Sequence, residues 1–223
     1  MEPWRIREGD GAVVLTNGVR SYPLRKDGRF GLAEITRTLE STWVLSHDGL
    51  SYEVAGGSLV ATANGREAWR RPMPIAVLME QWRKAGANWV DHTGKPIYPS
   101  HMDREPWHLA YDRAHDLILA STRNMPAAVV AARPKGEVLW SVFVSGACCN
   151  FACVPGRETI LFASSCGRDV TVLSPTGEIV RRVPLGFMPV LFLADAPEGA
   201  VAAAFDQVVA LDMRGGMKWK HGA

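Results

Sequence analysis

The chain has 223 residues, 47% of them hydrophobic and 22% charged, with a formal net charge of +2. These proportions belong to a folded chain and exclude wholesale disorder; so small a net charge supplies no electrostatic reason for a nucleic acid or an anionic membrane to be the partner. No apolar run reaches the ~18 residues of a membrane-spanning helix, and the start, Met1-Glu2-Pro3-Trp4-Arg5, lacks a basic segment leading into an apolar one, so no signal peptide and a cytoplasmic location are expected.

The 21 glycines and 14 prolines punctuate the chain into short elements. In chain order the apolar runs are Ala12–Leu15, Trp43–Leu45, Ser58–Ala61, Leu117–Ala120, Ala128–Ala131, Thr159–Phe162, Val170–Leu173 and Val208–Leu211. Each is bounded by turn residues and is of strand length; a helix needs about ten residues or more. Only Ile75–Lys84 is long enough for a helix, and without strong caps its pattern also admits a strand.

A repeat runs through these elements. A polar turn with a central glycine precedes a short strand that often carries an aromatic residue: RKDGRFGL (25–32), TANGREAW (62–69), DHTGKPIY (91–98), RPKGEVLW (133–140), SPTGEIVR (174–181) and DMRGGMKW (212–219). The glycines Gly28, Gly65, Gly94, Gly136, Gly177 and Gly215 are spaced by 37, 29, 42, 41 and 38 residues. A tight hairpin needs positive φ, which glycine adopts without steric cost. Most periods have room for four strands, and four-stranded antiparallel units of about 40 residues in series predict an all-β fold, a β-propeller. Six blades would cover the chain, over about 2–36, 37–74, 75–104, 105–146, 147–186 and 187–221, as one domain spanning 1–223. The third period is too short for four full strands. Two stacked sheets in a β-sandwich would use the same short strands.

The segment Val208-Val209-Ala210-Leu211-Asp212-Met213-Arg214-Gly215-Gly216-Met217-Lys218-Trp219 resembles the pyrroloquinoline-quinone-like (PQQ-like) propeller repeat, a hydrophobic strand ending Ala-Leu-Asp, a glycine turn and a strand ending in Trp. Leu59–Trp69 and Val129–Trp140 are similar more loosely. The resemblance covers the strand scaffold, implies the fold, and makes the tryptophans docking residues between blades. The quinone and calcium site of the larger enzymes that name the repeat has no counterpart beyond the vicinal pair Cys148-Cys149, so no cofactor is expected.

In such a ring, connections from strand two to three and from strand four to the next blade share one face. That face would carry His101, Asp103, Arg104, Arg123, Asn124, Asn150, Arg168, Asp206 and Gln207. Arg104, Arg123 and Arg168 would converge on an anion, because the guanidinium fork binds carboxylate or phosphate bidentately. His101 and Asp103 have the residue types of a general base and its orienting carboxylate. The opposite face would carry His47, Asp48, Asp112, His115 and Asp116 among others, with His115-Asp116 read as part of a tight turn. His108 lies in an alternating run suited to an innermost strand. Cys148, Cys149, Cys153 and Cys166 fall within one period; they admit a four-thiolate metal site, but buried reduced thiols fit a reducing compartment better.

No phosphate-binding loop, dinucleotide fingerprint, nucleophile elbow or zinc-protease motif occurs. The expected function is a binding module that presents a loop face to a peptide, a protein or a small anionic ligand, with no nucleic acid or membrane partner. The alternative is a propeller enzyme (a lyase, hydrolase or isomerase of a specialised bacterial pathway) with its site at the channel mouth. Ring closure by side-chain packing and assembly as a homodimer both fit the sequence.

Overall fold

Three turns of identical hydrogen bonding show how the repeat folds. In each, the amide of the first residue donates to a carbonyl four residues on, and the glycine amide donates back to that first residue: Arg133/Glu137 with Gly136, Ser174/Glu178 with Gly177, and Asp212/Gly216 with Gly215. The three glycines have φ of +91°, +86° and +74°. Each turn adds a bulge to the preceding hairpin, between Ala131 and Ala132, Val172 and Leu173, and Ala210 and Leu211. The computed structural model describes residues 5–9, 12–16, 21–24, 44–85, 107–122, 127–145, 151–164, 168–189, 191–195, 199–204 and 207–222.

These residues form five antiparallel sheets and a helix. Sheet I has three strands, β1 (Arg5–Gly9), β2 (Ala12–Thr16) and β3 (Ser21–Leu24). Sheet II has β4 (Leu45–His47), β5 (Leu50–Ala55), β6 (Ser58–Ala63) and β7 (Arg66–Pro72). Sheet III has β8 (His108–Asp112), β9 (Leu117–Ser121), β10 (Ala127–Ala132) and β11 (Val138–Ser145). Sheet IV has β12 (Phe151–Pro155), β13 (Ile160–Ser164), β14 (Asp169–Leu173) and β15 (Ile179–Pro184), and sheet V has β16 (Leu191–Asp195), β17 (Gly199–Ala203), β18 (Val208–Asp212) and β19 (Met217–His221). In sheets II to V the strands lie in chain order, as successive hairpins require. Sheet II is joined throughout by two-residue turns with positive φ, Asp48-Gly49, Gly56-Gly57 and Asn64-Gly65, whose twist matches that of the strands.

The first strands touch in succession, β4 with β8, β8 with β12 and β12 with β16, so each of these sheets faces the next. Middle strands are therefore buried on both sides. Along β9 and β10, Ile118, Ala120, Ala128, Val130 and Ala132 enter the core shared with sheet II, while Leu117, Leu119, Ala127, Val129 and Ala131 enter the core shared with sheet IV. Leu161, Ala163, Val170 and Val172 of sheet IV pack against Ala200, Ala202, Val209 and Leu211 of sheet V. The alanines keep the sheets close where every side chain must be covered.

Ile75–Lys84, which the sequence left open between helix and strand, forms a helix, α1, at the start of the irregular third period, and sheets II and III touch through β4 and β8. Leu78 is fully buried and Ile75 and Met79 join it in the core between sheets II and III. Gln81 Nε2 donates to the Ser141 carbonyl at 3.1 Å, and the Phe143 amide donates to Gln81 Oε1 at 2.8 Å. One side-chain amide thus pairs with the outer strand β11 as a neighbouring strand would. The outer strands β7, β15 and β19 instead carry charge, including Arg66, Arg70, Arg71, Arg181, Arg182, Lys218 and Lys220; charged edges discourage pairing with another chain.

Between sheets, the repeat turn is a docking point. A β-carbon at Gly136 would lie 3.0 Å from the Trp69 ring, and one at Gly177 only 2.6 Å from the Trp140 ring. Trp140 Nε1 donates to the Pro175 carbonyl at 2.8 Å and Tyr52 Oη to the Pro134 carbonyl at 3.3 Å. At the next joint the Arg181 guanidinium donates to the Arg214 carbonyl. Gly177→Ala combines left-handed strain with a clash against an aromatic ring, and should destabilise by about 2–4 kcal/mol in urea denaturation. Gly65→Ala has the same sign of φ but open space around the new methyl, so its cost should be about 1–2 kcal/mol.

Candidate functional site

On the face made by the connections between second and third strands, two of the sequence-nominated residues are described. Arg168 is exposed, and its carbonyl accepts from the Leu185 amide at 2.8 Å, which ties the β13–β14 connection to the end of sheet IV. Gln207 is half-buried, and its carbonyl accepts from Ala204 at 2.7 Å. His101, Asp103, Arg104, Arg123, Asn124, Asn150 and Asp206 lie outside the described residues, as do Cys148, Cys149 and Cys166. Among the described residues no group of His, Cys, Asp and Glu side chains could hold a metal ion.

The opposite face is fully visible around the start of sheet III. Asp112 ends β8 with a side chain only 1% exposed. Its Oδ1 accepts from the Ala114 amide at 3.0 Å and the His115 amide at 3.3 Å, and its Oδ2 lies 2.8 Å from His115 Nδ1. The turn foreseen at His115-Asp116 is therefore present, but the sequence did not reveal that its buried carboxylate also orients an imidazole. The available signal was an Asp at a strand end with a His three residues later. Next to it, Tyr111 Oη donates to Asp116 Oδ1 at 2.8 Å, and the His47 ring stacks on Tyr111 with centroids 3.7 Å apart. That hydrogen bond, then burial, raises the Tyr111 hydroxyl; burial, then Asp48 and Asp116, raises that of Tyr52. Both phenols stay protonated at neutral pH. Asp116 itself adopts a left-handed φ of +54°, a conformation Asp tolerates better than most residues.

Arg133 begins the third turn of sheet III and donates to the His115 carbonyl at 2.6 Å, joining the two turns. His115 and Arg133, with Leu117, Leu139, Trp140, Pro175 and Thr176, line a groove of about 410 Å3 at the joint between sheets III and IV. A second groove, of about 480 Å3, lies between sheets IV and V and is lined by Arg157, Glu158, Thr159, Asp212, Met213 and Arg214. His108 is buried on the innermost strand β8, as its alternating surroundings predict. Cys153 packs against the core between sheets III and IV; burial pushes its thiol up to about 12, with a hydrogen bond to Ser121 pulling the other way.

Two outcomes follow. Asp112→Ala removes three hydrogen bonds from a buried position and should lower stability by about 2–4 kcal/mol in urea denaturation, and His115→Ala, which leaves the buried Oδ2 without its partner, should cost about 1–3 kcal/mol. The raised thiol of Cys153 keeps it protonated through neutral and mildly alkaline pH. At pH 8 its iodoacetamide alkylation, followed by mass spectrometry of its own peptide, should be about a thousandfold slower in the folded protein than in urea, because the thiolate is the nucleophile.

Neither a family model nor a curated protein matches the sequence. Solved structures do match in shape. A catalytically inactive virginiamycin B lyase from Staphylococcus aureus, solved with quinupristin, is 12% identical, with a TM-score of 0.51 over 97% of this chain and 68% of that one. The BBS1N chain in complex with ARL6DN is 11% identical, with a TM-score of 0.51 over 99% of this chain and 65% of that one. This chain thus spans about two thirds of the length of each. Among the described residues no helix is long and apolar enough to cross a membrane. At such identities the likeness concerns shape alone, and together with the serial four-stranded sheets it shows that the chain has a β-propeller fold.

Proposed function

We propose that the chain is a single propeller domain acting as a binding module, and that its partner is a small anion or an acidic peptide held on the face of the second-to-third-strand connections. The observation that supports this reading is the exposed Arg168 at the β13–β14 connection. The strand pairs that bracket Arg123 and Asn124 (β9 and β10) and Asp206 and Gln207 (β17 and β18) hold the same second and third places in the adjoining sheets. Rigid strands with polar connections on one face make a fixed platform on which side chains from several sheets can reach one ligand. Arg104, Arg123 and Arg168 would supply the charge, and Asn124, Asn150, Asp206 and Gln207 the neutral and acidic groups that select among anions. Sheet II contributes little to such a site, since each of its turns has only two residues.

Isothermal titration with inorganic phosphate, citrate and a hexaglutamate peptide tests the proposal. Saturable binding of one of them, weakened about tenfold or more by Arg168→Ala, supports it, as loss of a charge-assisted bidentate contact should have that effect. No saturable binding, or binding indifferent to Arg168→Ala, overturns it.

A further inference from the structure

The grooves at two neighbouring joints are built alike but use their charges differently. Each combines the first-to-second-strand turn of one sheet with the glycine turn of the next. In the groove between sheets IV and V an ion pair and a backbone-held carboxylate lie on the wall. Arg214 meets Glu158 at 2.9 Å, and Asp212 Oδ1 accepts from the Arg214 amide at 2.8 Å and the Gly216 amide at 2.7 Å. The Thr159 hydroxyl donates to the Met213 carbonyl across the joint.

In the groove between sheets III and IV, Thr176 holds the turn position that Arg214 holds in the next sheet, and among the described residues no carboxylate lines the groove. Asp112 and Asp116 are engaged locally, Asp112 with His115 and two backbone amides and Asp116 with Tyr111, while Glu137 and Glu178 of the two glycine turns are exposed. Arg133 donates only to backbone carbonyls, those of His115 and Asp116, among the described residues. Its guanidinium has five N–H donors, so donors remain. Because Asp112 holds Nδ1 of His115, Nε2 is the ring nitrogen left for a ligand. Beside Arg133 and His115 the wall is apolar: Leu117, Trp140, Pro175 and Leu139, the last 41% exposed despite its size. The volume of about 410 Å3 falls among those that hold small molecules, about 300–1,000 Å3.

We infer that this groove is a second binding site, distinct from the loop face, for an amphiphilic carboxylate. The carboxylate accepts from Arg133 beside the His115 ring, and the flat apolar body lies on Leu139 and the exposed part of Trp140. Charge complementarity selects the anion; the apolar wall selects against phosphate or citrate, which have no surface to bury there.

NMR titration of the intact ¹⁵N-labelled protein with 2-naphthoate, and with its neutral counterpart 2-naphthamide, tests this site. The expected result is saturable shifts for 2-naphthoate at the Trp140 indole N–H and in residues 113–117 and 133–137, with the amide at least about tenfold weaker. Arg133→Gln should abolish the preference for the acid. Leu139→Glu, at an exposed position that tolerates change, should weaken 2-naphthoate by about tenfold or more through repulsion and lost apolar contact. Arg168→Ala should leave binding unchanged, which separates this site from the loop face. Shifts that do not saturate, that map elsewhere, or that are equal for acid and amide overturn the inference.

Discussion

The docking of an outer strand against the next sheet's glycine turn is the contact on which the other packing depends. At the joint of sheets III and IV the Trp140 ring lies where a β-carbon of Gly177 would stand, and its indole N–H reaches the carbonyl two residues before that glycine. Only glycine permits both the left-handed backbone and the close ring. At the joint of sheets II and III the tasks are divided: Trp69 covers Gly136 and Tyr52 supplies the hydrogen bond to Pro134. At the joint of sheets IV and V an aliphatic side chain, Val183, covers Gly215, and Arg181 supplies the donor. At each joint a side chain fills the space over the glycine, and a side-chain donor reaches a carbonyl one or two residues before that glycine.

With that spacing fixed, the middle strands have a solvent-free surface on each side. This explains why β9, β10 and β17 contain no charged residue and so much alanine. It also explains why the strands grow polar toward the perimeter, where only one side and one edge remain to be covered. The molecule protects its edges by two means. Basic side chains guard β7, β15 and β19, whereas β11, which has no charged residue, is closed by the Gln81 amide on a helix.

The same geometry divides the chemistry between two faces. Strands held on both sides are fixed, so the polar side chains outside the cores fall on the connections. On one face these include Arg168 and Gln207. On the other, short turns stiffened by Asp112 and Asp212 frame the grooves between sheets. Asp112 and Asp212 cap their turns in the same way, each Oδ1 accepting two backbone amides. Asp112 does more, because its other oxygen holds His115.

Much of the strand scaffold was legible in the sequence, because its causes are local. Gly136, Gly177 and Gly215 announce turns through the φ they require, and runs such as Val170–Leu173 announce strands through length and β-branching. The Asp112 turn was legible for the same reason. Ile75–Lys84 stayed ambiguous because its apolar residues suit a helix or a strand, and only the pocket that receives Leu78 between two sheets selects the helix. The groove of His115, Arg133, Trp140 and Pro175 left no mark in the chain at all. Trp140 and Pro175 are 35 residues apart, and nothing near either residue encodes the other. Local backbone demands are written residue by residue, so the sequence by itself determined the turns, the strands and their repeat. The packing of one sheet on the next decided the helix and the groove, because those depend on contacts that form only when distant segments are brought together.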